Sequence, residues 1–392
     1  MFEYFPGNYM WSLAVNRCLA SGGMFGEIHW ACKDLQEAAK TGPWGDAQAW
    51  HRAWMKLAQQ VEAVGDEALK GGTEVTACDA YFRAAQYYQW AEAFLPPDDD
   101  RAQPTFARHM DTFARAAELM KPRVETFDIP FENSFISAYF VPAQGVEGPA
   151  PAVMISDGLD GTKEEMFYMA RAFAARGISC LAIDHPGQGA TLRLGKLTAR
   201  HDSEVAAGVA FDYLVKHFDV DADRVGICAA SMGGYYAPRA AAFEKRFKAC
   251  VAWGAIYDYH GIWVRRMKVR PGEPVSVDTG AALGTTGTHL LRILGVSSYD
   301  EALVKLEKFS LVDVASQITC DVLLVQGEDD KQTPLAEAEQ LYAAIGSKSK
   351  ELRVYTREEG GAAHVQLDRP EPALSRIADW FVAKLASANP AR

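Results

Sequence analysis

Apolar residues along the first third of the chain recur at helical spacing. The stretch "DAQAWHRAWMKLAQQVEAVGDEALKGG" carries them at intervals of three and four and stops at Gly-Gly, which predicts a helix with a glycine end. "EVTACDAYFRAAQYYQWAEAFLPPDDD" repeats the pattern and stops at Pro-Pro, and "PTFARHMDTFARAAELMKP" is a third such segment. These alanine-rich, aromatic-dotted segments resemble paired-helix packing, but no clean period of about 34 residues runs through them, so they do not predict a repeat array. Residues 1–122 therefore read as an N-terminal helical, cap-like domain.

Near residue 123 the pattern changes. "RVETFDIPFE" and "SFISAYFVPA" alternate as strands do and are joined by Glu132 and Asn133. From there, apolar strands alternate with helices. "PAVMISDGLDG", "ISCLAIDHPGQGAT", "RVGICAAS", "KACVAWGAI", "CDVLLVQGEDD" and "ELRVYT" are the strands; "KEEMFYMARAFAARG", "SEVAAGVAFDYLVKHF", "LAEAEQLYAAIG" and "ALSRIADWFVAKLASA" are the helices. This alternation predicts an α/β domain over residues 123–392, with a mostly parallel, doubly wound sheet covered on both faces. Residues 258–312 break the rhythm with helical pieces and a Gly/Thr loop, and an insertion of that length reads as a cap.

Composition changes this picture little. The chain has 392 residues, 49% apolar and 23% charged, enough for a large core plus an accessory piece. A formal net charge of −11 argues against a nucleic-acid or anionic-membrane surface. Seven cysteines, at 18, 32, 78, 180, 228, 250 and 320, form no CxxC pair, so free thiols in a reducing cytoplasm are expected. The N-terminal apolar patch lacks a basic flank and is interrupted by Glu3, Pro6 and Asn8, which argues against a signal peptide. No stretch approaches the roughly 20 apolar residues of a membrane helix.

Chemistry enters at "GICAASMGGYY". An apolar strand runs into Ser231, Gly233 and Gly234, close to the Gly-x-Ser-x-Gly elbow that holds a nucleophilic serine on a sharp strand-to-helix turn. Ala229 replaces the first glycine and adds one methyl. A serine hydroxyl needs a base within hydrogen-bond reach and an acid behind that base. The loop after "DVLLVQG" offers Asp330, with Asp329 as the adjacent rival; the glycine-rich loop after "ELRVYT" offers His364. Asp-Asp loops and lone histidines are, one by one, usually just solvated. Three suitable residue types, in the order serine, acid, histidine and each just after a strand, are much harder to obtain by chance. An oxyanion hole needs two backbone N–H groups. Met232, after the serine, is one candidate; Leu159, in "SDGLDG", is the other, against the plainer reading of that stretch as a turn. "DHPGQG" lacks the lysine of a phosphate loop and reads as the loop after the second parallel strand. The histidines at 185, 201, 217, 260 and 289 show no metal-binding spacing, so no metal is expected.

The stretches "GLDGTKEEMF", "DHPGQG", "SMGGYYA", "WGAIYD", the Asp330 loop and "AAHVQLDRP" resemble the α/β-hydrolase superfamily. Within it, they are similar to carbon–carbon bond hydrolases of the 2,6-dihydropseudooxynicotine hydrolase kind, to FrsA-like esterases and to fungal hydrolases that shorten polyketide chains. Ala229 and the longer, polar "EDDKQTP" loop depart from that pattern. The resemblance implies an α/β-hydrolase fold with an N-terminal helical domain and a cap, no cofactor, a small-molecule substrate and a homodimer. It implies hydrolysis at a carbonyl carbon, with a C–C bond of an aromatic or polyketide-like ketone as the leading substrate. Ester or amide hydrolysis, and lyase or acyltransferase chemistry on the same fold, stay open. Aromatic density at Tyr4, Phe5, Tyr9, Trp11 and Trp30, and at Tyr257, Tyr259 and Trp263, leads to the further expectation that both groups line an apolar substrate pocket.

Overall fold

The computed structural model describes residues 1–42, 44–268 and 287–386. The chain divides into two compact units, one built mainly of Met1–Thr126 and the other mainly of the residues from Phe127 onward.

The first unit is helical. Helices α1 (Tyr9–Ala20), α2 (Phe25–Cys32), α3 (Ala47–Lys70), α4 (Glu74–Glu92) and α5 (Ala102–Leu119) build it. Asp46 caps α3 by accepting from the N–H groups of Gln48 and Ala49, and Gly71 and Gly72 follow its last turn. The core is aromatic. Trp50 lies 4.7 Å from Trp11, 5.1 Å from Trp54 and 5.0 Å from Phe94, ring centre to ring centre. Phe5 and Trp11 belong to this core, while Trp30 is 71% exposed. The expectation that these rings line a pocket therefore fails for Phe5 and Trp11. A short unit with few aliphatic side chains fills its own interior with rings.

The second unit is an eight-stranded sheet in the order β1-β2-β4-β3-β5-β6-β7-β8. The strands are β1 (Glu125–Phe131), β2 (Ser134–Val141), β3 (Ala150–Ser156), β4 (Ser179–Ile183), β5 (Val220–Ala230), β6 (Ala249–Trp253), β7 (Asp321–Gly327) and β8 (Lys350–Tyr355). β2 runs antiparallel to β4, and every pairing from β4 through β3, β5, β6 and β7 to β8 is parallel. Strands β3, β4 and β6 are buried along their whole length, and β5 from Val225 to Ala230, as sheets covered on both faces require. Helices α6 (Phe167–Ala174), α7 (Gly189–Arg193), α8 (Ser203–His217), α9 (Gly233–Phe243), α13 (Leu335–Ala344) and α14 (Pro370–Lys384) alternate with the strands. Between β6 and β7 lie α10 (Tyr259–Met267), the helical stretch 287–294 (α11) and α12 (Tyr299–Leu306). The cap expected over 258–312 also includes residues 269–286, which lie outside the described residues.

Helix α6 starts four residues later than "KEEMF" suggests, because Lys163 and Glu164 turn inward instead of starting a helix. Lys163 Nζ lies 2.6 Å from Glu164 Oε1 and 3.3 Å from Asp184 Oδ2, all nearly out of reach of solvent. Burial opposes the ammonium charge, but the two carboxylates outweigh it and hold the proton on Lys163 more tightly than in water. Tyr259 and Trp263, expected at a pocket wall, are buried in this unit. Among the described residues no helix is long and apolar enough to cross a membrane, and the seven cysteines form no disulfide.

Candidate active site

The chain leaves β3 for β4 on one side of it and returns to β5 on the other, so the strand order reverses there. In open α/β sheets that switch leaves a crevice beyond the strand ends, where sites form. The register aligns those ends: Ser156 faces Ala229, Ala230 faces Trp253 and Trp253 faces Val325. The loops after β3, β5, β7 and β8 thus start side by side.

Ser231 follows β5 directly, at φ +58. That left-handed conformation is unfavourable for a residue with a Cβ. Neighbours hold it in place: its N–H donates to the Trp253 carbonyl at 2.8 Å, and its carbonyl accepts from Gly234 N–H at 2.7 Å. The glycines around it answer the question that Ala229 raises. A Cβ on Gly233 would lie 2.5 Å from Ala229 Cβ, and one on Gly234 would lie 2.0 Å from the Gly254 carbonyl oxygen. The methyl of Ala229 thus fills the space that a side chain at 233 would take, and the departure from the elbow pattern is absorbed there. Gly158 faces the serine from the β3 loop, where a Cβ would come 2.6 Å from Ser231 Cβ.

His364 joins the loops. Its Nε2 lies 2.8 Å from Ser231 Oγ, and its Nδ1 lies 2.8 Å and 2.9 Å from the two carboxylate oxygens of Asp330. Both partners of the contact to Asp330 are buried. Asp330 also accepts from the N–H groups of Gln332 and Thr333 at 2.7 and 2.8 Å, and from the Thr333 hydroxyl at 2.7 Å. Burial alone would raise the carboxyl. The imidazole opposite it and these hydrogen bonds outweigh burial and hold Asp330 below the usual carboxylate range. Asp329 points elsewhere and pairs with the exposed Arg357. His364 itself precedes Val365 at φ +42 and Gln366 at φ +52. Gln366 is anchored by Trp253 Nε1 (2.5 Å), and Asp368 accepts from the N–H groups of Gly361, Ala362 and Ala363.

The structure thus brings Ser231, His364 and Asp330 into one chain of hydrogen bonds. Leu159 follows Gly158 beside the serine, and Met232 opens the turn into α9. Among the described residues neither the Leu159 nor the Met232 N–H is donated to a protein acceptor. The supporting groups Thr333, Gln326 and Asp368 are missed by sequence reasoning. Their only signal is position, three or four residues from a site residue: Thr333 and Asp368 on the site loops, and Gln326 near the end of β7, where its Nε2 donates to Asp330 Oδ2 at 3.2 Å. Among the described residues no group of three His, Cys, Asp or Glu side chains could hold a metal ion.

Residues 42–271, more than half the chain, match the family described as Esterase FrsA-like. The chain belongs to the FrsA-like esterase family. Residues 208–355 of this FrsA-like chain also match the family described as BAAT / Acyl-CoA thioester hydrolase C terminal. Hydrolase acrC of Aspergillus aculeatus is 28% identical over 411 aligned residues, covering 94% of each chain. The 20-hydroxy-prefusarin hydrolase FUS2 of Gibberella moniliformis is 29% identical over 375, covering 86% of this chain and 88% of its own. Among solved structures, 2,6-dihydroxy-pseudo-oxynicotine hydrolase superposes with a TM-score of 0.79 at 25% identity, over 95% of this chain and 96% of that one. The FrsA-like chain is therefore an α/β-hydrolase-fold enzyme of the hydrolase class.

Proposed function

We propose that this chain is a serine-dependent hydrolase that cleaves at a carbonyl carbon. Ser231 is the nucleophile, His364 the base and then the acid, and Asp330 the group that orients His364. The observation that carries this reading is one imidazole bonded at both nitrogens, to Ser231 Oγ and to the Asp330 carboxylate. An ionised Asp330 fixes the tautomer with the proton on Nδ1, which leaves Nε2 free to accept the serine proton. Ser231 Oγ then adds to the carbonyl carbon, and the oxygen takes up negative charge facing the N–H groups of Leu159 and Met232. Collapse of that intermediate breaks the bond to the leaving fragment, which takes the proton from His364. Water repeats the cycle on the acyl-enzyme and releases an acid.

The substrate we favour is an aromatic or polyketide-like ketone whose C–C bond beside the carbonyl is broken. A carbon leaving group needs a proton as it departs, and His364 Nε2 is placed to give one. The names of the relatives acting on 20-hydroxy-prefusarin and on 2,6-dihydroxy-pseudo-oxynicotine support a ring-bearing small molecule. The matches to esterase and acyl-CoA thioester hydrolase families favour a second reading, ester or thioester hydrolysis by the same three residues. Aryl β-diketones and p-nitrophenyl acyl esters, incubated side by side in ¹⁸O-water, separate the two. The C–C reading expects diketone cleavage with one ¹⁸O in the acid formed and a solvent hydrogen on the departing carbon. Turnover of esters alone would leave the second reading.

A further inference from the structure

We infer that Gln188 is a positioning residue that aims the Leu159 N–H at the oxyanion; this rests on the Ser231 chemistry proposed above. Gln188 closes the turn of "DHPGQG" after β4 and is 2% exposed. Its Oε1 accepts from His185 N–H at 3.0 Å. Its Nε2 donates to two carbonyl oxygens of the loop after β3, those of Asp157 (2.5 Å) and Gly158 (2.7 Å). Carbonyls only accept and a backbone N–H only donates, so these partners fix which end of the amide is which.

The bond to Gly158 sets the direction of the next N–H. In a trans peptide the carbonyl of one residue and the N–H of the following residue lie in one plane and point opposite ways. Pinning the Gly158 oxygen therefore turns the Leu159 N–H to the other side, and Gly158 itself abuts Ser231 Cβ. The two proposed oxyanion donors are thus held by different means. The Met232 peptide is fixed by main chain, through the Ser231 carbonyl and Gly234 N–H. The Leu159 peptide sits beside a glycine, the residue that gives a backbone the most freedom, and depends on a side chain. Asp184 ties the same two loops one step further out, accepting from Lys163 N–H and Ala190 N–H at 2.8 Å each. Gln188 instead bonds Gly158, the residue that abuts the serine.

A fluorophosphonate reads this alignment directly. Ser231 Oγ bonds to phosphorus, the P–F bond breaks, fluoride leaves, the serine proton passes to His364, and the phosphoryl oxygen lies where the oxyanion would. The measurement is the second-order inactivation rate constant of the full-length wild type and of Gln188→Met, Gln188→Glu and Ser231→Ala, with peptide mass spectrometry for the labelled residue. Gln188→Met keeps the volume and removes both donors; it is expected to be about tenfold to hundredfold slower, below the roughly 10²–10³ cost of deleting an oxyanion donor outright. Gln188→Glu regains a donor when protonated, so at pH 5 it is expected to outpace Gln188→Met. For an activated ester the loss should fall on kcat, with KM within about twofold, since only the transition state carries the charge. If the Met variant does not fold, the ratio of Gln188→Glu to wild type carries the test and should be higher at pH 5 than at pH 8. Wild type labelled at Ser231 while folded Gln188→Met reacts within twofold overturns this inference alone, as does a Glu variant no faster than Met at pH 5. A wild type not labelled at Ser231 overturns the nucleophile assignment and this inference with it.

Discussion

The two units bend their chains differently. In Met1–Thr126 every described residue with φ in the left-handed region is a glycine: Gly7, Gly22, Gly42, Gly45 and Gly72. In the unit that follows, Glu132, Lys196, Ser231, Lys268, Val365 and Gln366 take that conformation with side chains attached, and three of them, Ser231, Val365 and Gln366, lie at the site. Each such residue is disfavoured by roughly 1–2 kcal/mol and persists only where its surroundings over-determine it. Those surroundings are visible: the Trp253 carbonyl on Ser231 N–H, the Trp253 indole on Gln366, and Asp368 across three N–H groups before His364. The helical unit spends its conformational freedom on tight turns and packs ring on ring. The sheet unit holds unfavourable backbone beside the residues that we assign to the chemistry.

The largest expected difference is inside the sheet unit, between two adjacent carboxylates. Asp330→Asn should lower kcat by about 10³–10⁴, because an amide cannot hold the tautomer that leaves His364 Nε2 free. Asp329→Asn should change kcat less than about threefold, since it removes only an exposed pair with Arg357. Comparable losses in steady-state kinetics would dissolve the distinction. Down to pH values below the usual carboxylate range, Asp330 should remain ionised, because its carboxyl is held down.

A second contrast lies in buried histidines. In the helical unit His51 and His109 each place Nδ1 2.9 Å from a backbone carbonyl. His185 in the sheet unit is buried against Tyr236, and its Nδ1 has no partner among the described residues. Burial pulls its pKa down to about 4. The unfolded chain takes up the proton near pH 6.5 and the folded chain only near 4, so folding loses stability as pH falls through that window. The loss is on the order of 3 kcal/mol. Chemical denaturation of His185→Phe across pH 4–7 should show a flatter profile than wild type; parallel profiles would remove the histidine from the account.

The smallest effects test the backbone contrast itself. Val365→Gly relieves a left-handed valine and should raise stability by up to about 1 kcal/mol while kcat falls, because His364 is then less firmly held. Gly22→Ala should destabilise by more than that, since it adds a Cβ 2.7 Å from the Phe82 ring at φ +109. Equal and opposite results in thermal unfolding would reverse the comparison.

Much of this is legible in the sequence, for identifiable reasons. Apolar runs bounded by glycines mark the buried strands, because a sheet covered on both faces needs them. The order Ser231, Asp330, His364 is legible because each residue follows such a run. Pairwise space is not legible. Nothing in "GICAASMGG" says that Ala229 and Gly233 share one pocket of volume. The inward turn of Lys163 and Glu164 is hidden for a similar reason, since the three charged residues before "MFYMARAFA" read as a helix start until Asp184 is placed opposite. Phe5 and Trp11 look like ligand-facing rings only while their own unit's core is unseen. The left-handed Val365 carries no composition signal at all.

The most direct test of the account is the residue that becomes acylated. Rapid-quench reaction with p-nitrophenyl acetate, followed by peptide mass spectrometry, should place one acetyl group on Ser231 within the first turnover. Ser231→Ala should show no acetyl peptide, and its turnover should fall by several powers of ten, to the residue left by binding and the oxyanion hole. An acetyl group on any other side chain, or near-normal turnover by folded Ser231→Ala, would contradict it.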